Sequence, residues 1–391
     1  MRLHNRLVGE LRYHQGGSEF AYQDDLSRDD HQVLGQIFED DPRSLRRARV
    51  GVPAWFANLL PEGALRRQIV RELGGGNVGD FTLLLRVGSN LPGAVTLHGD
   101  EEPEDDLQLN DDGVDHPLRH SLAGVQLKYS VSAKRLAIPV SGKGAWWIVK
   151  LPDRSLRSLP DNEFLTMRWL AAAGFPVPAV ELVPAENVAG LPNGIVDPAD
   201  LVYLISRFDR TSTGRLHVED FAQVADVHPK FKYSDSGVTY DTLAAAIREL
   251  TGERGYRDFV RRLVAMVIVG NTDAHLKNWA LIYPDGRTPS LAPVYDFHSL
   301  TIYQNYRYQP LALSLNGENV PSAIKADDFR WMADRVGADA DMTADLLAET
   351  VTQLRDAWRG EIRADAARRF AALAEHYTHR LDSLPLARGS N

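Results

Sequence analysis

The apolar run from Phe259 to Val269 constrains this chain most, because it ends without transition in the polar stretch Gly270-Asn271-Thr272-Asp273-Ala274-His275-Leu276-Lys277-Asn278. Its periodicity is that of a buried helix, so the polar stretch is a loop set against a core. Beyond it, Trp279 to Tyr283 and Ser290 to Val294 read as two short strands about the turn Pro284-Asp285-Gly286. The second strand leads into Tyr295-Asp296. Asp273, Asn278 and Asp296 thus follow one another as a loop carboxylate, a loop amide and a carboxylate after a hairpin.

Phosphoryl transfer needs residue types of this kind. A carboxylate must orient the attacking hydroxyl and accept its proton, and oxygen ligands must hold Mg²⁺ against the nucleotide phosphates. In kinases the first task falls to an Asp of the catalytic loop. The second falls to an Asn five positions on and to an Asp after a short strand pair. Asp273, Asn278 and Asp296 match those types in that order. Asp and Asn are also ordinary turn residues, and the D-x-x-x-x-N spacing alone arises by chance. The second Asp and the buried helix are what set this occurrence apart. His275 reads as a loop residue with a structural role.

Three upstream stretches bear on the same chemistry. Lys150 closes the hydrophobic strand Ala145 to Leu151, from which an ammonium can reach nucleotide phosphates or simply reach solvent. Glu163, on the next helix, is its candidate partner. In Ser121-Leu122-Ala123-Gly124-Val125-Gln126-Leu127-Lys128 the small residues would let backbone N–H groups approach phosphate oxygens. The same stretch also reads as a plain entry into a strand. Ile205-Ser206-Arg207-Phe208-Asp209-Arg210 stands where strands give way to helices. An adenine edge could meet backbone groups there, with Asp209 near the ribose.

The pattern along the chain is strands first and helices afterwards, an α+β arrangement in two lobes. Residues 1–98 form an N-terminal module of mixed α/β type, with short strands between Leu3 and Tyr22 and helical periodicity from Trp55 to Leu73. The triplet Gly74-Gly75-Gly76 lacks the Lys-Ser/Thr of a phosphate loop and follows a helix, so it is a helix stop. Residues 99–116 are acidic and nearly free of large apolar side chains, which marks a mobile linker. A β-rich lobe is expected over 117–208, including two strands between Leu127 and Val140, and a mainly helical lobe over 209–385. Asp161 is placed to cap a helix from Asn162 to about Ala173, which Gly174 and Pro176 stop.

Composition excludes several classes. A net charge of −9 argues against a protein whose main business is neutralising nucleic-acid phosphates. Arg261–Arg262 and Arg368–Arg369 read as solvated helix faces. With no cysteine there can be no disulfide, thiolate metal site or cysteine nucleophile. No stretch approaches a membrane span and the N-terminus has no signal-peptide core, so a cytoplasmic protein with no membrane contact is expected.

Taken together, FANLLPEG, LPGAV, SLAGVQLK, IVKLPD, NEF, ISRFDR, HVEDFAQV, GNTDAHLKN and LAPVYD resemble, in order, the HipA-like serine/threonine kinases. These are the toxin half of bacterial toxin–antitoxin pairs, and the resemblance covers nearly the whole chain. It implies a protein-kinase-like (HipA-like) fold with an N-terminal module and a mainly helical C-lobe. It implies ATP and Mg²⁺ as cofactors, Asp273 as general base, and Asn278 and Asp296 as metal ligands. Ala123, Gly124, Val125, Gln126, Leu127 and Lys128 correspond to the phosphate loop, Lys150 to the phosphate-contacting lysine, and Ser206, Arg207 and Phe208 to the adenine hinge. His275 and Tyr295 would line the nucleotide site. Ser121 falls on the serine that family members autophosphorylate, and a charge of about −1.5 to −2 beside an anion-binding loop would oppose ATP binding.

The chain departs from the family at Leu127, where an acidic residue is common, at Ala274, often Gly, and at Ser206, usually Glu. The resemblance further implies a protein substrate, such as an aminoacyl-tRNA synthetase, and a small DNA-binding, HipB-like antitoxin through which any DNA contact would run. Two other classes stay open: a small-molecule kinase on a related fold, and a non-catalytic partner of a DNA-binding antitoxin.

Overall fold

The computed structural model describes residues 1–23, 29–99, 118–119, 128–131, 147–153, 155–188 and 196–388. Ser121, Ala123, Gly124, Val125, Gln126 and Leu127 lie outside the described residues, as do 100–116 of the expected linker.

In chain order the first elements are β1 (Arg2–Leu3), β2 (Arg6–Leu7), β3 (Gly9–His14), β4 (Gly17–Tyr22), α1 (Gln36–Asp40) and β5 (Arg46–Ala48). There follow α2 (Ala54–Ala57), α3 (Gly63–Glu72), α4 (Asp80–Val87), β6 (Val95–Thr96), β7 (Leu118–Arg119), β8 (Lys128–Val131) and β9 (Trp147–Lys150). Next come α5 (Leu159–Ala172), β10 (Val180–Pro184), β11 (Leu201–Ser206), β12 (Arg210–Thr211), β13 (Gly214–Arg215), β14 (His217–Asp220) and α6 (Phe221–Val224). The rest is α7 (Tyr240–Val269), β15 (Ala280–Tyr283), β16 (Ser290–Leu291), α8 (Ala326–Arg335), α9 (Ala340–Trp358), α10 (Glu361–Arg369), α11 (Ala371–Ser383) and α12 (Pro385–Arg388). This is the α+β composition that the sequence pattern predicts.

The chain divides into two compact units. The first holds Met1–Leu151, Val183–Lys230 and Ile282–Thr288; the second holds Pro152–Leu182, Phe231–Leu281 and Pro289–Asn391.

In the first unit, β2-β1-β6 and β3-β4-β5 form two small sheets. Phe20, Phe38, Trp55, Phe56, Leu83 and Leu84 are among the side chains that close one apolar core there. The helical stretch expected from Trp55 to Leu73 is split in two, since a residue before Pro61 is biased away from helical backbone. Gly74, Gly75 and Gly76 follow α3 with positive φ, and Gly75 N–H closes on Val70 O at 2.9 Å. They end a helix, as expected. A further sheet runs in the order β10-β11-β9-β8-β7. Strand alternation sends Trp147, Val149, Leu151, Val202 and Leu204 into one apolar cluster. Lys150 therefore points to the other face, as does Tyr203, its antiparallel partner on β11.

On β14 the same alternation brings His217 and Glu219 to one buried face. Glu219 accepts hydrogen bonds from Trp55 Nε1 at 2.9 Å, Gln36 N–H at 3.1 Å and Tyr283 Oη at 3.0 Å. A Cβ on Gly35 would stand 2.6 Å from Glu219 Oε1, so only glycine lets the backbone come this close. Burial drives Glu219 up to about 7, against the pull of those three donors.

The second unit is mainly helical and is built round α7. Thr239 caps that helix through a reciprocal pair with Thr242, and Gly252 breaks its regularity at φ 67°. Val260 and Leu263 to Val269 are fully buried. Arg262 is not the solvated residue expected: it is 4 % exposed, donates to Ala292 O at 2.6 Å and pairs with Asp258. Arg261 lies 4.6 Å over the Phe175 ring, whereas Arg368 and Arg369 pair with Asp365 at a more open surface. Helix α5 also starts earlier than expected. Ser158 is its first cap residue and Pro160 fits the first turn, so Asp161 lies inside the helix rather than before it.

Candidate active site

The end of α7 decides where the polar loop stands. Gly270 takes φ 77°, and its N–H and that of Asn271 turn back on Val267 O and Met266 O, a glycine-terminated helix end. A side chain at position 270 would meet Thr301 Oγ1 at 2.2 Å. Arg380, from α11, donates to Ile268 O at 2.7 Å and Val267 O at 2.6 Å, putting a cation on the negative end of the helix.

Asn271 ties the loop together. It is fully buried; its Oδ1 accepts Asp273 N–H at 3.2 Å and its Nδ2 donates to Asp296 O at 3.3 Å. The same loop then closes on itself, with His275 N–H donating to Asp273 O at 2.7 Å and Asn278 Nδ2 to the same oxygen at 2.8 Å. An amide whose nitrogen is committed there keeps its Oδ1 as an acceptor. Asp273, Asn278 and Asp296, all half-buried, are thereby brought to one neighbourhood. Asp296 adopts φ 57°, a left-handed conformation that is uncommon outside glycine.

Tyr233 Oη donates to Asp273 Oδ1 at 2.8 Å. Its ring meets His275 edge-on at 5.1 Å, and Leu276 N–H binds Lys232 O at 3.2 Å. Burial, reinforced by the positive Lys232 and Lys277, holds His275 well below the ordinary histidine range, so the ring is neutral. Its buried Nδ1 has no hydrogen-bond partner among the described residues. Tyr295 Oη donates to Lys277 O at 2.9 Å, which packs the residue before Asp296 against the loop.

Lys128, Lys150, Ser206, Arg207, Phe208 and Asp209 lie in the first unit. Lys150 is 3 % exposed, with its ammonium 5.6 Å from the Tyr203 ring centre, and stands opposite Lys128 in the β8–β9 register. Glu163, on α5 of the second unit, is buried. Ser206 ends β11 and pairs with Trp147. The side chains of Arg207 and Asp209 form a buried ion pair. Asp209 accepts from Arg207 Nε and Nη2, Arg210 Nη1 and Gly93 N–H, all at 2.7–2.8 Å. Arg207 and Arg210 reach on to Asn90 Oδ1 and Leu91 O. These contacts clasp Asn90–Gly93, and the two guanidiniums hold the buried Asp209 carboxyl down to about 2.

Two of these residues were not expected. Asn271 had no signal beyond its place before Thr272-Asp273, and Tyr233 lies 40 residues before its partner, outside any local motif.

The donor set suits a magnesium nucleotide. Mg²⁺ takes hard oxygen ligands, and commonly one or two carboxylates with phosphates and waters complete its shell. The Asn278 carboxamide and the Asp296 carboxylate carry oxygens of this kind. Among the described residues no group of three or more His, Asp or Glu forms an all-protein metal cage. Nor is any described helix long and apolar enough to cross a membrane.

The chain is similar to several known proteins. The family profile of the HipA N-terminal domain matches residues 1–98, and that of the HipA-like C-terminal domain matches residues 120–358. A Sinorhizobium fredii protein named "Putative kinase Y4dM" is 37 % identical over 375 residues, 92 % of this chain and 91 % of that protein. A second from the same organism, "Putative kinase Y4mE", is 29 % identical over 368 residues, 85 % of this chain and 84 % of its own. Among solved structures, a chain of the Shewanella oneidensis complex of HipA, HipB and operator DNA superposes with a TM-score of 0.70. It is 19 % identical and covers 99 % of this chain and 96 % of its own, a likeness of fold. With both of its characteristic domains matched in order, the chain belongs to the HipA family.

Proposed function

We propose that this protein is an ATP- and Mg²⁺-dependent serine/threonine-protein kinase, the toxin of a toxin–antitoxin pair. The observation that carries the reading is the hydrogen-bonded loop in which the buried Asn271 amide joins Asp273 to Asp296 and Asn278 donates to Asp273 O. Asp273 orients the substrate hydroxyl and takes its proton. Asn278 and Asp296 hold Mg²⁺, which when bound neutralises charge on the nucleotide phosphates. Lys150 meets the phosphates with a buried cation, the 123–128 stretch cradles them through its backbone, and residues 206–208 offer backbone groups to the adenine. His275 and Tyr295 keep the loop in shape beside the nucleotide. Catalysis of this kind is mostly positioning and electrostatic stabilisation.

The substrate is a protein, with an aminoacyl-tRNA synthetase the expected class, and Ser121 is the expected autophosphorylation site. The partner is a HipB-like antitoxin, and DNA is met only through it. The domain scheme that goes with this reading is an N-terminal module over 1–98, a linker over 99–116, a β-rich lobe over 117–208 and a helical lobe over 209–385. The test is incubation of the protein, with Mg²⁺ and γ-labelled ATP, in a cell extract beside its Asp273→Asn variant. A labelled protein band with the parent alone supports the kinase. Label on a metabolite instead favours a small-molecule kinase, and no label with no ATP binding favours a non-catalytic antitoxin partner.

A further inference from the structure

The segment that follows Asp296 is gripped from two helices. Asn162, in the first turns of α5, is fully buried, and its carboxamide binds both backbone groups of Ser299. Its Nδ2 donates to Ser299 O at 2.7 Å and its Oδ1 accepts Ser299 N–H at 2.9 Å. Only a side chain with one donor and one acceptor in a fixed plane makes both bonds. From α11, His376 Nε2 lies 3.1 Å from Ser299 Oγ and 3.1 Å from Thr301 Oγ1. Burial, with Arg380 beside it, holds His376 down to about 3, so it grips as a neutral ring. Leu300 N–H, between them, donates to Gly270 O at 3.1 Å.

Asn162 is itself locked. Its main-chain carbonyl accepts Thr166 Oγ1 at 2.6 Å, Thr166 reaches Tyr377 Oη, and Tyr303 Oη stands 3.3 Å from its Nδ2. Asp296, three residues before Ser299, has the left-handed φ of 57°. A non-glycine residue keeps such a conformation when its surroundings over-determine it. Here Asn271 fixes the carbonyl of Asp296, and Asn162 fixes the chain three residues on.

We infer that Asn162 is a positioning residue for the metal–nucleotide site: its two-point grip on Ser299 sets the backbone that aims the Asp296 carboxylate at Mg²⁺. The inference rests on the proposed function. It makes α5 and the Asp296 segment one mechanical piece, so displacement of α5 would disarm the metal site. Mg²⁺ tolerates little departure from octahedral geometry, which makes its binding a sensitive readout.

The experiment titrates Mg²⁺ against binding of a fluorescent ATP analogue to the full-length protein, with thermal melting recorded without ligand. Asn162→Asp, which keeps the shape but loses the donor, should need about tenfold more Mg²⁺ for half-maximal binding, as loss of an outer-shell partner commonly does. Binding in excess chelator should match the parent. Asn162→Gln, which retains the amide one methylene displaced, should shift in the same direction, and serves if the Asp variant does not fold. A lowered melting temperature with an unchanged Mg²⁺ midpoint in a folded variant overturns the inference and leaves the kinase reading intact. Magnesium-independent binding by the parent overturns both.

Discussion

The Tyr233 hydroxyl donates to Asp273 Oδ1 at 2.8 Å, joining the segment before α7 to the carboxylate proposed as general base. A hydrogen bond to a charged group contributes about 1.5–3 kcal/mol, and here it also fixes the rotamer of the base. Tyr233→Phe should lower the maximal rate of phosphoryl transfer roughly tenfold or more by that measure, while the half-saturating ATP concentration changes much less. Initial rates at varied ATP separate the two effects.

Glu219 gives the protein a specific pH dependence. Its carboxyl, ordinarily near 4.5, is raised by burial to about 7 in the folded state. Between these values the folded chain holds a proton that the unfolded chain has released. Stability therefore falls as pH rises from 4.5 to 7 and levels off above, with a total on the order of 3 kcal/mol. Melting temperatures of the parent and Glu219→Gln, compared from pH 5 to 8.5, should show the parent losing ground to the variant across that window. Parallel curves would contradict the assignment.

Asp209 compensates two buried guanidiniums, those of Arg207 and Arg210. Asp209→Ala leaves both charges without their partner, a change that typically costs about 3–5 kcal/mol. Denaturant unfolding should register a loss of that order, together with release of the Asn90–Gly93 segment to faster hydrogen exchange.

Gly270→Ala should fail for two reasons at once, its positive φ and the Cβ contact with Thr301 Oγ1 at 2.2 Å. A destabilisation of about 1–3 kcal/mol is expected, with a fall in transfer activity greater than the folded fraction explains. Circular dichroism and rate measurements on one preparation check both.

The helix ending at Val269, the hairpin and the order Asp273, Asn278, Asp296 were legible because each rests on local signals: periodicity, turn residues and fixed spacing. The grip of Asn162 on Ser299 and of Tyr233 on Asp273 was not, since pairs 137 and 40 residues apart leave no local pattern. Arg262 misled for a related reason. A charged residue on a helix is usually solvated, and only the tertiary structure reveals a buried partner such as Ala292 O. The start of α5 was misplaced because Asp161 is a good cap by type, while Ser158 and Pro160 set the boundary.

Nucleotide binding and phosphoryl transfer, measured side by side for the parent and Asp273→Asn, decide whether Asp273 is the general base. The variant should bind Mg-ATP within a few-fold of the parent yet lose transfer by about 10²–10⁴, the usual contribution of a general base. Transfer at the parental rate by a variant that binds ATP normally would contradict the assignment of Asp273 and with it the proposed chemistry.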